Sequence, residues 1–203
     1  MEHLALLNND EKLKTIIDLQ TPYVLIARKN IYLHLCSSIM SQQLSVKVAA
    51  VIYERFLSLY KNKKPSLKQI IDTPFDTLRS VGLSNAKTQY VKNVCVFFLT
   101  EKITDAKLQK MSNESLIKYL SQIKGVGQWT VEMILMFTLG REDVFAVDDL
   151  GIQQSITKLY QLDASDKKAL KIKMMELSAN WSPYRTYACR YLWGWKDEPK
   201  SLK

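Results

Sequence analysis

The sequence predicts an all-α protein built as two helical lobes. Apolar residues recur at steps of three and four along most of the chain, alternating runs of the strand kind are almost absent, and serines, threonines and aspartates stand where helices would open. Six glycines and five prolines in 203 residues leave room only for short connections.

Taken in order, a first helix opens at Asn9-Asp10 and carries Leu13, Ile16 and Ile17. A second covers about Asn30 to Met40, with Leu33, Cys36 and Ser37 at helical spacing, and Ser41-Gln42-Gln43 interrupts it. Ser45 caps a third, whose Val48, Val51, Ile52, Phe56 and Leu59 form one stripe expected to be buried. The basic run Lys61-Asn62-Lys63-Lys64 and Pro65 end it. Thr73 reads as an N-cap, with Pro74 at the first position of a short helix to Ser80 that Gly82 stops. Ser84 opens a long helix through Ala86, Tyr90, Val91, Val94, Phe97 and Phe98, and Ser112 opens another through Leu116, Ile117 and Leu120. Val131 to Leu139 is almost wholly apolar, the mark of a buried helix, and Gly140 ends it. Two more helices cover 150–160 and 165–180, and Pro183 starts the last, with Tyr187, Tyr191 and Trp193.

Composition narrows the function classes. With 47% hydrophobic and 24% charged residues the chain is not of the disordered class. It has no run of about 18 apolar residues, and Met1-Glu2-His3-Leu4 lacks the basic start of a signal peptide. A soluble intracellular protein without a membrane partner is expected, cytoplasmic at the nucleoid in a bacterium or nuclear in a eukaryote. Cys36, Cys95 and Cys189 sit singly in apolar helical patterns and read as buried, reduced thiols. His3 and His34 are too few and too far apart for a zinc site, so no catalytic metal is expected. Lys and Arg outnumber Asp and Glu by 29 to 20, giving +9, which suits an anionic partner such as nucleic acid. The densest runs, Lys61–Lys64 and Lys167-Lys168, fit a solvated loop and a helix face equally well.

Ile123-Lys124-Gly125-Val126-Gly127-Gln128-Trp129-Thr130 reads as helix, tight hairpin, helix. Two glycines around one apolar residue leave no side chain between backbone amides and a phosphate, and the new helix start is a ready anion site. A plain helix–helix turn is the bland alternative.

This segment resembles the helix-hairpin-helix of the helix-hairpin-helix/Gly-Pro-Asp DNA glycosylase superfamily. Asp143-Val144-Phe145-Ala146-Val147-Asp148-Asp149 resembles more specifically the 3-methyladenine DNA glycosylase II family. Ser41-Gln42-Gln43-Leu44-Ser45 and Trp181-Ser182-Pro183-Tyr184-Arg185, then Tyr187-Ala188 and Trp193, match further segments of that family in order, so the likeness covers roughly residues 30 to 195. It does not extend to the β-rich N-terminal domain of some members.

The resemblance implies a monofunctional glycosylase that flips an alkylated purine, of the 3-methyladenine or 7-methylguanine type, out of double-stranded DNA and hydrolyses its N-glycosidic bond. Its catalytic carboxylate would be Asp149. On the residues alone both aspartates are caps; the family pattern gives the chemistry to the second and leaves Asp148 to cap the helix near Leu150. The wedge that fills the gap would come from Gln42, Gln43 or Leu44, with Gln43 favoured, although exposed glutamines at a helix break need no such role. Lys124, Gly125, Val126, Gly127 and Thr130 would meet DNA.

Alkylation makes the purine cationic, and aromatic faces attract cations. Trp129 and Trp193 match the family's base pocket, Tyr184 and Tyr187 are further candidates, and Met133 stands where some relatives carry an aromatic residue. The four aromatic residues also suit core packing. Trp129 occupies the position of the Schiff-base lysine of strand-cutting relatives, so no lyase activity is expected. No cofactor is implied: the four-cysteine iron–sulfur loop is missing, while a monovalent cation on backbone carbonyls of the hairpin is allowed. The implied lobes are 29–142 and 1–28 plus 143–203, a monomer with a catalytic cleft between them lined by Trp129, Asp149 and Trp193. Rival readings are a glycosylase for a neutral lesion such as hypoxanthine or uracil, and a helix-hairpin-helix DNA-binding module without catalysis.

Overall fold

Helix starts in this chain are set by short polar side chains. Asp10, Ser45, Ser66, Ser84, Thr104, Ser112, Asp149 and Asp166 each accept a backbone N–H at the opening of a helix. Each such cap stabilises its helix by about 1 kcal/mol. A computed structural model describes residues 1–197, and among these there are thirteen α-helices, one 3₁₀ turn and no strand.

Residues Ala27–Leu139 form one compact unit. It holds α3 (Ile31–Ser41), α4 (Val46–Ser58), a 3₁₀ turn at Lys61–Lys63, α5 (Leu67–Asp72), α6 (Phe75–Ser80), α7 (Asn85–Thr100), α8 (Asp105–Gln109), α9 (Asn113–Leu120) and α10 (Gln128–Phe137). The long α7 is the spine: α3, α5 and α6 pack on it, and α3 in turn carries α4 and α10. Val91, Val94 and Cys95 of α7 and Leu35, Cys36 and Ile39 of α3 are fully buried. The neighbouring Cys95 thiol and burial push the Cys36 thiol well above its ordinary range, so it stays protonated and inert.

Residues Met1–Ile26 and those from Gly140 onward form a second unit. It holds α1 (Glu2–Leu7), α2 (Glu11–Ile17), α11 (Leu150–Tyr160), α12 (Lys167–Ala179) and α13 (Arg185–Asp197), with α2, α11 and α13 in mutual contact. Asp10 is its polar hub. One carboxylate oxygen caps α2 through the Leu13 N–H at 3.0 Å, and the other accepts the Tyr160 hydroxyl at 2.6 Å and the Trp181 indole N–H at 2.9 Å.

The units divide a few residues before the lobe boundaries read from sequence, because Arg28 already donates its N–H to Thr138 O at 2.7 Å and Gly140 turns the chain with φ +66°. Three local expectations are corrected. On α4 only Ile52 and Phe56 are buried; Val48, Val51 and Leu59 face solvent, since α4 meets its unit chiefly through α3. Thr73 ends α5 by donating its hydroxyl to Gln69 O at 2.7 Å, and the cap position of α6 is Pro74, whose ring has no acceptor to offer. Pro183 lies in a cis-peptide turn, and α13 begins two residues later. Helices α1, α5 and α8 escaped the sequence pattern because five or six residues are too few to show a period.

Candidate active site

Within the first unit, α9 leads through a tight turn into α10. Gly125 takes φ +103°, and a Cβ there would lie 2.2 Å from the Tyr90 ring. Gly125→Ala therefore combines a left-handed backbone penalty with a steric clash and should destabilise the protein by about 3 kcal/mol, read as a lowered denaturant midpoint. Lys124 is exposed, and the open side of Gly127, at the N-cap of α10, has no atom within 4 Å of an added Cβ. The free amides of the first turn of α10 thus start beside an uncovered backbone. The side chains of Val126 and Thr130, expected at DNA, are instead buried at 4% and 2% exposure. Val126 closes the turn through its N–H to Ile123 O, and Thr130 faces Gln42. Any phosphate contact at these two positions has to come from backbone.

The segment Ser41–Ser45 is tied to that turn. Gln42 Nε2 donates to Gly125 O and Thr130 Oγ1, both at 3.4 Å, which turns Gln42 toward the glycine turn. Gln43 is exposed in a left-handed conformation, φ +60°, and Leu44 beside it is 38% exposed. Lys87 Nζ donates to Met40 O at 3.0 Å and Gln42 O at 2.6 Å and so closes the C-terminal end of α3. Burial lowers the Lys87 ammonium below its ordinary range. Lys87→Met should leave those carbonyls unpaired, cost about 1–2 kcal/mol, and speed amide hydrogen exchange across residues 41–45. Unchanged exchange there would show that the loop is held by other means.

In the second unit Asp149 is the N-cap of α11. Its Oδ1 accepts the Ile152 N–H at 2.9 Å and the Trp193 indole N–H at 2.8 Å. The expected cap, Asp148, is exposed and pairs with Lys171 instead. The physical reason is position: α11 starts at Leu150, so the residue just before it, not the one before that, has its carboxylate over the free amides. The loop leading to Asp149 is stitched to α13. Arg185 donates Nε and Nη2 to Asp143 at 2.5 and 2.9 Å, Ser182 adds a hydroxyl at 2.9 Å, and Thr186 Oγ1 donates to Arg141 O at 2.6 Å. Burial opposes the charge on Asp143, but the hydrogen bonds from Arg185 and Ser182 outweigh it and hold the carboxyl below its usual 3.8. A carboxylate held low stabilises the fold at any pH above its unfolded value. That contribution should fade as pH falls below about 4, and Asp143→Asn should show less acid sensitivity in that window.

Residues 36–180 match the HhH-GPD superfamily of base excision DNA repair proteins. The chain belongs to this superfamily. It is 36% identical over 194 residues to DNA-3-methyladenine glycosylase 1 of Schizosaccharomyces pombe, covering 94% of this chain and 84% of that one. A DNA-3-methyladenine glycosylase of Saccharomyces cerevisiae is 34% identical across 84% of this chain, which spans 58% of the yeast protein. Among solved structures, the S. pombe 3-methyladenine DNA glycosylase in complex with abasic DNA superposes with a TM-score of 0.85 at 32% identity, covering 95% of each chain. The DNA-3-methyladenine glycosidase of Bacillus halodurans gives 0.81 at 34% identity, covering 96% of this chain and 88% of that one.

As a member of the superfamily, the chain presents its predicted pocket residues unevenly. Trp129 and Met133 lie one turn apart on α10, both half-buried, and Trp193 is half-buried against Asp149. Tyr187 and Tyr184 are committed elsewhere. Tyr187 is 7% exposed, stacks on His3 at 3.9 Å and donates to Glu142 Oε1 at 3.0 Å; burial and that carboxylate push its phenol up to about 12. Tyr184 meets His3 edge-on and donates to Glu2. Tyr187 of α13 and Tyr184 in the turn before it thus fasten α1 to this end of the chain. The Asp143–Arg185 fork went unnoticed as an interaction, although both residues lie in the motifs that carried the resemblance. Among the described residues no group of three His, Cys, Asp or Glu could hold a metal ion.

Proposed function

We propose that this protein excises alkylated purines from double-stranded DNA by hydrolysing the N-glycosidic bond. The observation that carries the reading is Asp149, a carboxylate at the head of α11 with its Oδ1 held by a backbone amide and an indole N–H. As the purine leaves, the sugar becomes oxocarbenium-like, and a fixed carboxylate stabilises that charge or orients the attacking water. Little general acid is required, because an alkylated purine already carries the positive charge that weakens its bond. The DNA-3-methyladenine glycosylases of S. pombe and yeast among its relatives support this substrate class, and the abasic DNA held by the S. pombe enzyme supports DNA as the partner.

Trp129, standing where strand-cutting members have lysine, offers no amine, which supports water as the nucleophile. The turn Lys124–Gly127, exposed at Lys124 and Gly127, and the first amides of α10 would take the phosphate, and Gln43 and Leu44 are the exposed residues of the segment expected to supply the wedge. The carbonyls of Lys124 and Gly125 each accept one amide N–H, from Asn93 at 3.1 Å and Gln42 at 3.4 Å, and no step runs through a cation at this turn.

Incubation with methylated duplex DNA should release methylpurine and leave an unbroken strand that is cut only by later alkaline heating. Strand scission before alkali, or covalent trapping of the protein on DNA by borohydride, would refute hydrolysis by water.

A further inference from the structure

Gly151, the second residue of α11, stands where neither turn nor backbone strain asks for glycine. It lies inside the helix and does not share the positive φ of Gly82, Gly125 and Gly140. Glycine is among the poorest helix formers, so local propensity alone would favour almost any other residue there. Space explains it. A Cβ on Gly151 would sit 3.0 Å from Asp149 Oδ1, 3.1 Å from Trp193 Cδ1 and 3.2 Å from Trp193 Nε1. Its missing side chain is the gap through which the indole reaches the carboxylate.

We propose that Gly151 and the Trp193 N–H together form a positioning device for the Asp149 carboxylate. The terminal torsion of an aspartate is soft, and a cap bond alone leaves the carboxylate plane poorly fixed. A second donor from α13, converging on the same Oδ1 at 2.8 Å, sets that plane and keeps the charge aimed before any substrate arrives. Trp193 thus acts through its N–H as well as through its ring, and Gly151 acts through the absence of a methyl group. The inference rests on the glycosylase reading and adds two residues that touch the carboxylate rather than the base.

The test uses Trp193→Phe, which keeps an aromatic ring and removes the donor, and Gly151→Ala, which keeps the helix and fills the gap. Single-turnover release of methylpurine from methylated duplex should slow about tenfold or more in each, the scale of a lost hydrogen bond to a charged group. Affinity for duplex carrying a stable abasic-site analogue should stay within about twofold, and Gly151→Ala should melt no lower than the parent protein. Placed in the Asp149→Asn background, neither change should slow the residual rate further, because the negative charge that the device aims is already gone. Equal slowing in both backgrounds, or none in either, would overturn the proposal. The Trp193 indole N–H resonance, assigned by its loss in Trp193→Phe, gives a readout independent of turnover: it should shift in Gly151→Ala and in Asp149→Asn. A wild type that releases no base overturns the glycosylase reading and the catalytic role of the device with it, and the indole signal distinguishes that failure from one in which the hydrogen bond itself does not form.

Discussion

Asp149→Asn should slow release of methylpurine by a factor on the order of 10² to 10⁴, with the fold intact. Asparagine caps helices about as well as aspartate, and its oxygen can still accept from Ile152 N–H and Trp193 Nε1, so helix α11 and the Trp193 contact should survive. What disappears is the negative charge, at the moment when the sugar turns positive. Asp148→Asn provides the internal control. Asp148 pairs with Lys171 at a surface where both side chains are nearly half exposed, 49% and 46%, and such pairs contribute little. Its activity should match the parent. If Asp148→Asn were the inactive variant, the assignment of the carboxylate would be wrong by one residue.

The largest effect on stability should come from Asp10→Ala, a loss of about 3–5 kcal/mol. The substitution deletes the cap of α2, worth about 1 kcal/mol, and strips the acceptor from the Tyr160 hydroxyl and the Trp181 indole N–H. Trp181 is 1% exposed, so its donor has no easy access to water, and each unsatisfied donor costs about 1–3 kcal/mol. For a chain of this size the melting temperature should fall by roughly 10 °C or more. Tyr160→Phe, which removes one of the two donors and leaves the cap, should cost far less. A melting temperature for Asp10→Ala within about 2 °C of the parent would show that the hub is solvated and its bonds replaceable.

Most helices were legible because their signals are local. Ser45, Ser84, Ser112 and Asp10 stand where caps belong, and the runs that follow keep a helical period long enough to be seen. Helices α1, α5 and α8 have no such length. The site was legible in part. The glycine turn and the aspartate pair declare themselves in the sequence, but which aspartate caps α11 depends on the first helical residue, a boundary that patterns locate only within a few residues. Tyr184 and Tyr187 matched pocket positions by type; their partners His3, Glu2 and Glu142 lie far away in sequence, and only the folded chain shows that these rings are occupied. Gly151 gave no signal at all, because its reason is the side chain of Trp193, more than forty residues on.

A cationic purine in DNA is the proposed substrate, and its bond to the sugar is the proposed point of cleavage. The most direct measurement is chromatographic identification of free bases after single-turnover incubation with three matched duplexes, one methylated, one containing hypoxanthine and one containing uracil. Free 3-methyladenine or 7-methylguanine should come from the first, and no base above background from the other two. Release of hypoxanthine or uracil at a comparable rate, or binding to all three duplexes with no base released from any, would contradict that proposal.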